Sequence, residues 1–209
     1  MKKRTTMLAL LLATGAGTCL QAQEKLTQFK VRDAITVRTP IMNNSINPKG
    51  EKYADKDLLK TPVVLDLADA PFQVLSTDTA GVLSFPKAEK DHSIYLLETS
   101  LRAERFMTGK LKVTSPARWE IFINGESKMS KENAEDSISG ASPREVNLRL
   151  EPEADYEITI KLLSGSKDKA VPTLKCELIK DDKFKDITCF VSPEQKKRFA
   201  LPNTVYGNR

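Results

Sequence analysis

A single histidine, His92, stands in the 209-residue chain, so a serine–histidine or cysteine–histidine site would have to be built around it. It follows Lys90-Asp91 at the mouth of an apolar run, and no Gly-x-Ser-x-Gly elbow presents a nucleophile. His92 therefore reads as a loop histidine. One histidine and two available cysteines do not make a zinc ligand set. Carboxylates cluster at Glu132, Glu135 and Asp136, and again at Asp181-Asp182. Glycosidic acid–base work needs two carboxyls roughly 5–10 Å apart across a cleft. Neither cluster is bracketed by the aromatic and polar residues that would line one, so both read as solvated surface charge. Asp181-Asp182 is also where a calcium ion would be sought, since hard cations take carboxylate and carbonyl oxygens. No glycine loop of phosphate-cradling type occurs. We assign no catalytic residue, no metal and no cofactor, and expect no enzymatic activity.

Aromatic rings offer binding instead. Trp119 is the lone tryptophan, and sugar-binding sandwiches often use exposed rings as platforms. It alternates in phase with Ile121 and Ile123, which points it into the core. Tyr95, Phe106 and Phe122 are weaker candidates, Phe122 because it faces away from Trp119. The ligand-binding residues stay unassigned.

The elements that must position these residues begin with an export leader. Lys2, Lys3 and Arg4 precede the apolar Met7–Ala13 and then Leu20-Gln21-Ala22, the build of a secretory signal cut after Ala22. The apolar run is shorter than the roughly 20 residues of a spanning helix, and no later segment approaches that, so no membrane span is expected. Lipidation at Cys19 is the rival reading, though Thr18 is a poor residue before such a cut. Removing residues 1–22 lowers the net charge from +5 to +2. No basic face of nucleic-acid type remains. The expected location is periplasmic or extracellular.

Residues 23–61 read as an N-terminal arm with short strands at Phe29–Val31 and Ile35–Val37, followed by a polar loop over 43–61. From 62 to 192 short runs alternate apolar and polar residues. Leu111 and Val113 oppose Lys110 and Lys112; Val146, Leu148 and Leu150 alternate with Asn147 and Arg149; Tyr156, Ile158, Ile160 and Leu162 with Glu157, Thr159 and Lys161. Period-2 alternation between turn residues predicts an all-β fold, an antiparallel β-sandwich of jelly-roll type with an N-terminal arm. Asn124-Gly125 is the strongest hairpin signal, because both residues tolerate positive φ. Residues 127–142 read as a polar surface loop with a helical turn at Lys131–Glu135, and 193–209 as a tail or linker.

Cys176 and Cys189 remain in the mature chain. An even count in an oxidising compartment predicts a disulfide, with two buried free thiols as the alternative. If Asp182-Lys183 forms a two-residue turn, Leu174 faces Val191, Cys176 faces Cys189 and Leu178 faces Ile187. Opposed residues of a non-hydrogen-bonded pair lie about 4.5 Å apart at Cα, within disulfide reach.

The run from Arg105 to Lys128, with Gly109, the Leu111/Val113 strand, the Trp119/Ile121/Ile123 strand and the Asn124-Gly125-Glu126 turn, resembles the jelly-roll accessory modules of secreted bacterial hydrolases. Val146–Leu150 and Asp155–Ile160 resemble the closing strands. The likeness covers roughly residues 62–180 and implies a fold with no catalytic residue to carry over. The leader ending Gln21-Ala22-Gln23 resembles exported proteins of the Bacteroidetes. The tail Phe199–Arg209 is similar to the lead-in to a Tol-type β-propeller. That resemblance implies the amino-terminal piece of a prolyl oligopeptidase-family peptidase whose propeller and serine domain lie downstream. The expected partner is thus a larger hydrolase or those further domains, with a glycan or peptide as ligand. A carbohydrate-binding module and a free-standing envelope structural protein are the rival functions. Exposed aromatics would favour the first, and a buried Trp119 would count against it.

Overall fold

The alternation along the middle of the chain folds as two antiparallel sheets forming a sandwich, as the sequence predicts. The computed structural model describes residues 23–32, 35–37, 46, 50–51, 54–60, 63–65, 72–194 and 204–206. The leader with Cys19, much of the loop 43–61 and most of the tail 193–209 lie outside the described residues.

In chain order the first elements are β1 (Gln23–Lys25), β2 (Gln28–Arg32), β3 (Ile35–Val37), α1 (Asp55–Leu59), β4 (Val63–Leu65), β5 (Phe72–Ser76) and β6 (Val82–Ser84). The long middle strands follow: β7 (His92–Ala103), β8 (Met107–Thr114), β9 (Arg118–Ile123), β10 (Glu126–Lys131) and β11 (Arg144–Leu150). Last come β12 (Asp155–Gly165), β13 (Thr173–Lys180), β14 (Cys189–Ser192) and β15 (Thr204–Tyr206). Among the described residues one sheet runs β1-β13-β8-β11, with β6 also on β13. The other runs β10-β9-β12-β7-β2-β5, with β3 and β14 also on β7. β4 and β15 form a separate parallel pair.

Trp119, Ile121, Ile158, Ile160 and Leu162 of the larger sheet share one apolar core with Leu111, Val113, Cys176 and Leu178 of the smaller. Burying each such side chain contributes about 1.5–3 kcal/mol relative to exposure. A second cluster lies on the outer side of the larger sheet, where Leu58 and Leu59 of α1 join Ile94, Leu96, Phe122 and Leu163. A five-residue helix has little stability of its own; these leucines hold it in place. The N-terminal segment is sewn into both sheets, since β1 pairs with β13 and β2 lies between β7 and β5.

Two local expectations are corrected. Residues 127–131 of the expected 127–142 loop are strand: the Asn124-Gly125 turn, with φ of 51° and 78°, returns the chain as β10 against β9. Its polar sequence suits a sheet edge, and that hid it from a search for apolar alternation. No helical turn forms at Lys131–Glu135, because Lys131 ends the strand and donates to the Ser115 carbonyl at 2.6 Å and to Glu135 at 2.5 Å. The second correction concerns the proposed 174–191 hairpin. Asp182–Phe184 is a 3₁₀ turn that carries the chain from one sheet to the other. Cys176 therefore faces Val113 on β8, Cys189 faces Ala103 on β7, and both are buried free thiols. The register that would set Cys176 opposite Cys189 does not form, and Cys189 Sγ lies 3.2 Å from Met107 Sδ.

Candidate binding clefts at the sandwich seams

His92 is drawn into a charged clip rather than left in a loop. Its Nε2 lies 3.3 Å from Asp55 Oδ1, and Arg118 reaches Asp55 at 2.7 Å and Asp168 at 2.9 Å. With Lys60 on Glu120 at 2.6 Å, these pairs pin α1 to the larger sheet. Among the described residues the ion-pair partners of His92 and Arg118 are the carboxylates of Asp55 and Asp168. Neither carboxylate cluster is among the residues that line the two clefts at the sandwich seams. Glu135 is held below the usual range for a carboxyl because bonds from Lys131 and Ser142 outweigh its desolvation, which acts the other way. Asp136 pairs with Lys169 at 2.8 Å, Asp181 accepts a bond from Thr108, and Asp182 pairs with Lys185 at 2.9 Å. Among the described residues no group of three or more acidic, histidine or cysteine side chains is gathered to hold a metal ion.

Trp119 is 0% exposed, so it is core and no sugar platform. Phe122 is buried under α1, and Phe106 stacks edge-on with Phe184 at 5.8 Å. Tyr95 lies at a cleft. Its ring tilts against Phe85 at 4.8 Å and its hydroxyl donates to the Pro86 carbonyl at 2.6 Å, while burial pushes the phenol's pKa up.

That cleft, about 290 Å³, opens at the seam between β5 and β6, the facing edges of the two sheets, and is lined by Val31, Arg32, Gln73, Leu75, Phe85 and Tyr95 among others. The opposite seam, between β10 and β11, holds a second cleft of about 280 Å³ with a different lining. Ile123 and Leu148, both buried, form its floor. Asn124, Glu126, Lys128, Asn147, Arg149 and Tyr156 form the rim.

The rim is stiff. Asn124 donates its N–H to the Glu157 carbonyl and accepts the Glu157 N–H on Oδ1, both at 2.8 Å, which clamps the turn to β12. Glu126 pairs with Lys128 at 2.6 Å. Arg149 lies over the Phe106 ring at 5.1 Å, with its Nε donating to Glu151 at 3.0 Å. The Tyr156 hydroxyl accepts the Glu151 N–H at 3.0 Å, which leaves its own hydrogen to donate. Sequence reading passed over this group. Asn147 and Arg149 registered only as outward positions of a strand and Tyr156 as an inward one. The one available signal was the Asn124-Gly125 turn, which brings the hairpin to the β11 edge.

No protein-family model matches the chain, and no curated protein matches it. Among solved structures it is similar to a β-glucosidase from Kluyveromyces marxianus in complex with glucose, at 11% identity and a TM-score of 0.42, over 76% of this chain and 16% of that one. It is also similar to a PA14 sugar-binding domain from an RTX adhesin, at 10% identity and a TM-score of 0.38, over 80% of this chain and 96% of that one. A PA14 domain of an antifreeze protein aligns at 9% identity and a TM-score of 0.34, over 97% and 94%. The chain spans about one sixth of the length of the β-glucosidase it matches.

Proposed function

We propose that this chain is a non-catalytic accessory module that binds a glycan in the cleft between the β9–β10 turn and β11, and presents it to a larger exported hydrolase. The carrying observation is the lining of that cleft. Two amides, a guanidinium, an ammonium, a carboxylate and a phenol meet over an apolar floor. Such groups supply both donors and acceptors, which vicinal hydroxyls require, and the phenol ring adds an apolar face for a sugar's C–H surface. Hydrolysis would need two carboxyls facing the ligand; the only carboxylate among the lining residues, Glu126, is tied to Lys128. The basic and apolar leader supports export, and the likeness of 105–128 to accessory modules supports a hydrolase as the partner.

The test is retention on an array of polysaccharides, run beside peptidase, esterase and glycosidase assays. Binding with no turnover is expected. Asn147→Ala and Arg149→Ala should each weaken it about tenfold, in line with loss of one or two hydrogen bonds. A protein that retains no glycan, or one that cleaves what it retains, contradicts the reading.

A further inference from the structure

The polar cleft between the β9–β10 turn and β11 mixes charges of both signs, and their partners decide which donors a ligand meets. Glu126 pairs with Lys128 at 2.6 Å, and Glu151, just outside the lining, takes the Nε hydrogen of Arg149 at 3.0 Å. These four groups sum to zero, so they exert no general pull on a polyanion. Arg149 nevertheless keeps donors to offer. A guanidinium carries five N–H groups in a planar fork. Among the described residues Arg149 has one hydrogen-bond acceptor, Glu151, and that bond uses Nε. Its side chain is 73% exposed, so the two Nη groups are within a ligand's reach.

The fork is held although it is exposed. Its central carbon lies 5.1 Å over the Phe106 ring. That ring meets Phe184 edge-on at 5.8 Å, and Phe184 packs against the core. Glu151 fixes the guanidinium from another side, and its backbone N–H goes to the Tyr156 hydroxyl at 3.0 Å. One residue thus sets the positions of both Arg149 and Tyr156, and the phenol has its own hydrogen to give. A guanidinium restrained in this way loses less freedom on binding than a loose lysine does. Its two Nη groups match the two oxygens of a carboxylate, a bidentate fit that an ammonium cannot make.

We propose that the glycan of this cleft carries a uronate, whose carboxylate is held bidentate by the Nη edge of Arg149 while Tyr156 donates to a neighbouring sugar oxygen. This rests on the glycan-binding reading above and names the sugar that the site selects. Asn147 serves hydroxyls, which every sugar has; Arg149 supplies the choice between sugars. Because the local charges cancel, the preference comes from the geometry of the fork and not from attraction at long range. A contact pair lies well inside the roughly 8 Å screening length of physiological salt, so the preference survives there.

The probes are tetragalacturonate and tetramannuronate, each beside its methyl ester, titrated calorimetrically at physiological salt. Acid and ester share a skeleton and differ in the carboxylate. At least one acid should bind about tenfold more tightly than its ester. Arg149→Lys keeps the charge and loses the fork, and should bring that acid and its ester to within about twofold of each other. Equal binding of acid and ester by the wild type overturns the proposal. So does a preference that Arg149→Lys retains, which would assign it to charge alone. A sulfated tetrasaccharide that binds as tightly as the uronate overturns it as well, since the site would then take any anion. The glycan-binding reading fails separately. A protein that retains a neutral polysaccharide and ignores both acids leaves that reading standing and sinks this one, whereas a protein that retains no polysaccharide sinks both.

Discussion

Lys161 shows at the scale of a residue how much charge this sandwich buries. It is 3% exposed, and its burial pulls the ammonium down to about 8, with Glu120 opposing that fall and Lys60 adding to it. In the unfolded chain the amine keeps its ordinary value of 10.5. Below about 8 both states hold the proton and the folded state bears the full cost of a buried cation. From about 8 to 10.5 the folded state has released it while the unfolded state has not, so stability from this site rises with pH across that window. The wild type should gain up to about 3 kcal/mol on Lys161→Met between neutral pH and the top of that window, measured by urea unfolding. A difference that stays flat would contradict the buried site. The thiols make a second test. Burial pushes the pKa of both Cys176 and Cys189 up, so iodoacetamide should modify neither in the folded protein at neutral pH and both after unfolding. Rapid labelling of the folded chain would contradict this.

At the scale of elements, legibility in the sequence followed the physics of exposure. Strands with apolar side chains on one face announced themselves by alternation, as β11 did with its other face exposed and β12 with its polar face buried as well. β10 did not, because an edge strand with Ser127 and Lys128 exposed has no apolar face to show. The partner of a strand is also not written in its own residues. Cys176 and Cys189 each point inward as alternation requires, yet a three-residue 3₁₀ turn puts them in opposite sheets. The candidate cleft was illegible for the same reason, since its rim joins β10 to a strand it does not pair with. Gly109 marks where β8 and β13 approach closely. A Cβ there would stand 2.5 Å from the Ile179 carbonyl oxygen, a backbone atom that cannot swing aside. Gly109→Ala should cost about 1–3 kcal/mol by overpacking, read from the urea midpoint. An unchanged midpoint would show that β8 and β13 do not meet in this register.

The described residues of the sandwich form a two-sheet frame whose seams carry unlike clefts, one around Phe85 and Tyr95 and one ringed by polar side chains. Some of its ion pairs hold α1 and the turn after β12 to the larger sheet, as the Asp55, Arg118 and Asp168 clip shows. The central claim is that this frame binds through its polar cleft and carries out no reaction there. Isothermal titration with the glycan retained most strongly on the array, followed by mass analysis of the recovered glycan, tests it most directly. The account predicts saturable binding at one site, about tenfold weaker in Asn147→Ala, with the glycan recovered at its original mass. Equal affinity in that variant, or a glycan returned shortened, would contradict it.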